Sequence, residues 1–326
     1  MKSKMYNLGL VSKYRSALMG MATIGILMCH APANGVNLPF HLNSVLGLGQ
    51  MGVMIFFFVS GLGLYYSTHR MEYSASGIVT WYRKRFVRLF VPYLIIYAPA
   101  LYLQMYDSNT LEGNWGGYFL RLSTVSYWID HSGCWFVDVM VPIYLLTPLW
   151  NRLLEKVAYP IIPTILVFAT MMYVDNLYAS AFHQASFFFI GFWLGRYVRQ
   201  GVSISMKEMV AIGGFFVLLL VGYYVFGIGE LLPIIVMPCM FIGCLVLEMI
   251  GSSSLIRLLN FFGVISLESY LLNVTLIIWI LHFNLLPEQL FPYRYLFMVG
   301  VGIMLATVVN RLCKPIVSLV SKSNDK

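Results

Sequence analysis

Residues 45–67 read VLGLGQMGVMIFFFVSGLGLYYS, a run without a single charged side chain. A helix rises about 1.5 Å per residue, so crossing the hydrocarbon of a bilayer takes about 20 apolar residues. The run is long enough and predicts a membrane-spanning helix. Outward from it the pattern recurs along the whole chain. Apolar stretches and their Pro/Gly breakers predict ten spans, at about 15–33, 45–67, 86–106, 134–151, 157–174, 184–199, 208–227, 231–250, 261–283 and 294–313. The eighth is interrupted by Pro233 and Pro238.

Composition agrees. The 326 residues are 60% hydrophobic and only 10% charged, where soluble chains carry about 25% charged residues. One aqueous-facing core cannot bury that much apolar side chain. A water-soluble enzyme, a disordered chain and a soluble nucleic-acid binder are excluded. The expected fold is an all-α polytopic membrane protein, a bundle of about ten transmembrane helices. It forms one domain over residues 1–326, with a short frayed tail at 318–326. Met1 to Ala31 is basic and then apolar, like a signal peptide, but no small-residue cleavage site follows, so it reads as an uncleaved first helix.

The net charge of +8 is explained by orientation rather than by a nucleic-acid partner. If the N-terminus is cytoplasmic and each span reverses the side, only Arg121 and Arg294 of the 21 Lys and Arg residues fall outside. That is the lopsidedness of the positive-inside rule, and it predicts that both termini are cytoplasmic. The cysteines at 29, 134, 239, 244 and 313 form no pair or His cluster with metal-ligand spacing, so no disulfide framework and no metal site is expected. The longest external segment, Asp107 to Gly133, mixes Asn109, Asn114, Trp115, Trp128, Asp130 and His131. It reads equally as a sugar-binding loop or as an interfacial aromatic belt.

Ionisable groups inside spans are costly and mark function. His30 closes the first span, and a neutral imidazole suits general-base work. Arg15 stands fifteen residues earlier, roughly 22 Å along a helix, so the two serve different ends of a tunnel. Trp81-Tyr-Arg83-Lys84-Arg85-Phe-Val-Arg88 opens the third span with four cations, more than anchoring needs. Such a cluster is either a topology anchor or a seat for phosphate oxygens. In the second span, Ser60, Gly61 and Gly63 permit close helix approach. Trp135 and Asp138 open the fourth span, followed by Tyr144 and Pro148; Asp138 needs a partner, and His30, His131 or an arginine are the candidates. Glu268, Tyr270 and Asn273 lie in the ninth span, the last two three residues apart on one face. His41, His69, His183 and His282 fall in loops or at span ends, in solvated or interfacial roles. No P-loop, dinucleotide fingerprint, HExxH or GxSxG is present.

Taken in order, these elements resemble the type-3 membrane acyltransferase family, integral-membrane O-acyltransferases acting on surface glycans and related acceptors. The matching elements are Arg15 through Cys29-His30-Ala31, Phe57 to Gly61, Arg88-Leu-Phe-Val-Pro92-Tyr93, Trp135-Phe136 with Tyr144 and Pro148, and Ser266 to Asn273. Two positions depart from the family pattern. The family arginine stands eleven residues before the histidine, where this chain has Met19, and the family's late histidine is Asn273 here. The resemblance implies a multi-pass protein of the bacterial inner membrane. It implies an acyl-CoA donor, acetyl-CoA by preference, used as a substrate with no tightly bound cofactor. The acceptor is a glycan or lipid-linked sugar hydroxyl on the far side. His30 is then the general base, and Arg15, Arg83, Lys84, Arg85 and Arg88 hold the coenzyme A phosphates. Ser60, Trp135, Asp138, Tyr144, Glu268, Tyr270 and Asn273 line the tunnel. The competing class is a polysaccharide-lipid flippase or small-solute carrier. Repeat symmetry between its halves would mark a carrier, and the sequence has none. A glycan polymerase or ligase would want a large basic external loop, and the largest here holds one arginine, Arg121.

Overall fold

The computed structural model describes residues 5–32, 36, 42–226, 236–285 and 293–322. In chain order the elements are β1 (Met5–Asn7), α1 (Gly9–Lys13), α2 (Arg15–Cys29), α3 (Leu42–Gly47), α4 (Met51–Thr68), α5 (Ala75–Asp107), α6 (Trp115–Leu122), α7 (Ser126–Asp130), α8 (Trp135–Lys156), α9 (Ile161–Met172), α10 (Ala179–Arg199), β2 (Ser203–Ser205), α11 (Met206–Phe226), α12 (Val236–Ile250), α13 (Ser253–Val264), α14 (Ser266–His282) and α15 (Tyr293–Lys322). The molecule is a helical membrane protein. A helix lies in each of the ten stretches read as spans. Among the described residues, three segments are both long and apolar enough to cross a membrane: Val45–Thr68, Ala75–Asp107 and Tyr293–Val320; α13 and α14 together would make a fourth, broken one. His41 and Pro233 lie outside the described residues.

The structure corrects several boundaries. The third helix starts at Ala75, not near 86, because Ser74 caps it, its hydroxyl accepting from the Gly77 amide at 3.1 Å. Its 33 residues extend about 50 Å, well beyond a hydrocarbon core of about 30 Å. The cationic first half is therefore a helical extension of an apolar span. The ninth span is not continuous: Ile265 separates α13 from α14. The last helix runs on to Lys322 through residues read as a frayed tail. The chain is also not purely helical, since β1 and β2 pair antiparallel, Met5 opposite Ser205.

The chain divides into two compact units. The first comprises residues 1–26, 48–69 and 154–264. Its helices touch through glycines. A Cβ on Gly61 of α4 would lie 2.1 Å from the Phe188 carbonyl oxygen of α10, and one on Gly191 of α10 would lie 2.0 Å from that of Phe58. The same reciprocity joins α2 to α13: Gly20 faces the Leu259 carbonyl and Gly263 the Ser16 carbonyl, each 1.9 Å from an added Cβ. Small residues here let backbones approach where lipid supplies no hydrophobic drive. Gly63 has a different task, for a Cβ there would meet the Arg15 guanidinium at 2.9 Å. Glu248 of α12 accepts from both Lys13 and Tyr14 at 2.6 Å.

The second unit comprises residues 27–47, 70–153 and 265–326. Here α8 runs antiparallel to α5. Tyr82 donates to the Leu145 carbonyl at 2.7 Å, Asn151 to the Tyr73 hydroxyl at 2.6 Å, and Arg152 covers the Tyr73 ring at 4.5 Å. α14 packs against α5 and α15. The segment from Asp107 to Gly133 is ordered by α6 and α7. Asn114 caps α6 at the Gly117 amide, and Trp115 and Phe119 stay exposed on it. Asp130 accepts from the amide and hydroxyl of Ser132, which holds its carboxyl below the usual range.

Candidate functional site

His30 follows the last residue of α2 and is half-buried. The Asn273 side-chain amide of α14 hydrogen-bonds its Nδ1. Tyr295, in the first turn of α15, donates its hydroxyl to the Leu27 carbonyl of α2 and lies 3.4 Å from Asn273 Oδ1. Three helices thus converge on one imidazole. Beside Asn273 is a small, partly open hollow, lined by Leu27, Ser269, Leu276, Met298, Val299 and Gly302 among others. The Ser269 hydroxyl is buried there without a hydrogen-bond partner among the described residues.

α14 connects this junction to the basic run. Glu268, five positions before Asn273, sits about 7.5 Å away along the helix axis. It is 5% exposed, accepts from Asn310 of α15 at 2.9 Å, and feels the charges of Arg88 and Lys314. Arg85 and Arg88 of α5 act in turn on the Tyr144 hydroxyl of α8. Arg85 also covers the Trp81 ring at 5.6 Å. Lys84 is half-buried on the same helix and Arg88 is exposed. Arg83 keeps two guanidinium nitrogens, Nε and Nη2, buried with no hydrogen-bond partner among the described residues. A buried, unpaired guanidinium edge is costly, and an incoming anion relieves that cost with charge-assisted bonds.

A third group lies at the start of α8. Asp138 is fully buried, and neither carboxylate oxygen has a hydrogen-bond partner among the described residues. None of the partners predicted for it bonds it. Trp128 donates instead to its backbone carbonyl at 3.2 Å. Tyr93 and Tyr97 of α5 stack at 5.1 Å near it, and Tyr270 of α14 meets Phe136 at 5.2 Å and the Cys134 thiol. Tyr270 and Asn273 therefore share α14 but serve different neighbours. Trp135 is half-buried, with its ring 6.1 Å from that of Phe136.

The second unit thus gathers His30, Arg83, Lys84, Arg85, Arg88, Trp135, Asp138, Tyr144, Glu268, Tyr270 and Asn273. Arg15 and Ser60 belong to the first unit, on α2 and α4. Two site residues escaped the sequence reading. Tyr295 sits in no motif, and Asn310 is one polar residue in an apolar helix; its only signal was that an amide in an apolar run needs a partner. His282, read as solvated or interfacial at a span end, bonds Asp107 at 2.7 Å. No group of three metal-ligating residues exists among the described residues.

Comparison with known proteins places the chain. The acyltransferase-3 family model, described as an acyltransferase domain, matches residues 17–311, and the chain belongs to that family. It is also similar to an acyltransferase, MdmB, of Streptomyces mycarofaciens, 26% identical over 121 residues. That match covers 34% of this chain and 30% of the relative, so the chain spans under a third of the curated protein it matches. No solved structure matches it.

Proposed function

We propose that this protein is a membrane O-acyltransferase. It moves a short acyl group, acetyl by preference, from cytoplasmic acyl-CoA to a hydroxyl of an extracytoplasmic or lipid-linked glycan. The observation that carries the reading is the junction at His30, a half-buried imidazole held by a side-chain amide beside a small apolar hollow. Family membership supports acyl transfer as the chemistry.

The steps follow from ordinary reactivity. A sugar hydroxyl is a poor nucleophile near neutral pH. Its proton passes to His30 Nε2 as its oxygen attacks the thioester carbonyl carbon. The tetrahedral intermediate collapses, the C–S bond breaks, and the imidazolium returns the proton to the leaving thiolate. General-base assistance of this kind contributes about 10²–10⁴-fold. The basic first half of α5 seats the donor's phosphates, with Arg83, Lys84, Arg85 and Arg88 as its cations. Trp135, Asp138, Tyr144, Glu268, Tyr270 and Asn273, all of the second unit, line the acyl path. The apolar lining of the hollow, largely Leu, Met, Val and Gly, supports an acyl path beside it. The donor enters and leaves as a substrate, with no tightly bound cofactor. The protein acts as one ten-span domain with both termini cytoplasmic, in a bacterial inner membrane.

The test uses inside-out membrane vesicles bearing the chain, supplied with radiolabelled acetyl-CoA. Label incorporated into membrane glycan or lipid with the wild type, and lost with His30→Gln, supports the reading. Incorporation unchanged by His30→Gln removes His30 from the chemistry. No incorporation with abundant folded protein rejects acetyl transfer.

A further inference from the structure

Resting on the reading of His30 as base, we propose that Asn273 and Tyr295 form a hydrogen-bond relay that fixes the His30 tautomer, with the proton on Nδ1 and the lone pair on Nε2. The argument is a count of donors and acceptors. Four groups lie in a row: His30 Nδ1, the Asn273 amide, the Tyr295 hydroxyl and the Leu27 carbonyl. The last can only accept, so the single Tyr295 proton goes to it. With the Asn273 nitrogen facing His30, its oxygen faces the Tyr295 oxygen at 3.4 Å, two acceptors with no proton between them. Rotating the amide by 180° exchanges its oxygen and nitrogen at nearly the same positions. Then Nδ1–H donates to Asn273 Oδ1, Asn273 Nδ2–H donates to Tyr295 Oη, and Tyr295 O–H donates to the Leu27 carbonyl. Every contact now has one donor and one acceptor. A part-buried row with no mismatch is the stable one.

The consequence for chemistry is direct. An imidazole whose Nδ1 accepts carries its proton on Nε2 and cannot take a second one there. An imidazole whose Nδ1 donates presents a basic Nε2. Tyr295 therefore acts on the reaction through Asn273, and Asn273 through His30; both are positioning residues. The relay explains why a neutral amide serves where the resembled family pattern places a histidine. Asn273 is a one-way adaptor, accepting from the imidazole and donating to the tyrosine.

The test has a spectroscopic arm independent of turnover. The full chain is labelled with ¹⁵N-histidine in detergent, and His30 is assigned by loss of its signals in His30→Gln. At about pH 8 the ring is neutral, and the expected spectrum shows a protonated Nδ1 and an unprotonated Nε2. Tyr295→Phe removes the acceptor that orients the amide and yields a mixture of tautomers. A wild-type ring protonated on Nε2 overturns the relay. In the vesicle assay, Asn273→Asp can only accept from Nδ1–H. It retains transfer within about 10-fold, with the acid limb of the rate profile displaced to higher pH by the added negative charge. Asn273→Leu lowers kcat about 10–100-fold with KM little changed. Asn273→Asp as inactive as Asn273→Leu would mean that the amide serves His30 by donating to it rather than accepting from it, and the relay falls. Transfer surviving His30→Gln instead removes His30 as the base, while the ¹⁵N result still decides the tautomer.

Discussion

The Asn273 amide meets the Nδ1 edge of His30 across 243 residues of sequence. His30 terminates the first long helix and Asn273 lies in the second turn of α14, so the pairing exists only in the folded unit. If His30 is the base, its loss is a loss of chemistry rather than of fold. His30→Ala is expected to lower acyl transfer by about 10²–10⁴-fold while the protein's yield and melting temperature in detergent stay near wild type. Parallel rate and melting measurements check this.

The buried edge of Arg83 predicts where donor affinity resides. Arg83→Gln removes a charge-assisted contact worth about 1.5–3 kcal/mol, and raises KM for acyl-CoA about 10–100-fold with a smaller effect on kcat. Arg88 is exposed, so its contribution is screened by salt. Arg88→Gln should cost little at high ionic strength. Donor titrations at two salt concentrations separate these two behaviours.

Asp138 offers a stability prediction. A buried carboxyl with no partner lowers stability. Asp138→Asn keeps the shape and discards the ionisable group, so it is expected to raise the melting temperature at pH 8 or leave it unchanged. A fall there would show that the carboxylate has an interaction worth keeping.

Helix contact at glycine predicts the opposite response. Gly20→Val would drive a side chain into the Leu259 backbone, and Gly61→Val into that of Phe188. Neither obstacle is a movable side-chain tip. Each substitution is expected to destabilise by at least about 1–3 kcal/mol, visible as a lower melting temperature. Gly213→Val, in open space on α11, should do little.

Much of this was legible in the sequence because membrane crossing imposes a length and a composition on each helix. The run from 45 to 67 and the apolar half of α5 announce themselves that way, and His30 and Asp138 stand out as polar groups in apolar surroundings. What stayed hidden has physical reasons. The early start of α5 depends on Ser74 as a cap, a signal weaker than the charge run that masked it. The break at Ile265 has no proline. Three-residue strands such as β1 and β2 carry too few positions for a period to show. Tyr295 is one of 22 tyrosines, and only the fold brings it to Asn273 and His30.

The most direct test of the account is mass analysis of surface glycans and lipids from cells carrying the wild-type chain or His30→Ala at matched expression. The account predicts species heavier by one acyl group with the wild type and their disappearance with His30→Ala. Acylated species undiminished by His30→Ala, or none in either strain with the protein folded and the glycan present, would contradict it.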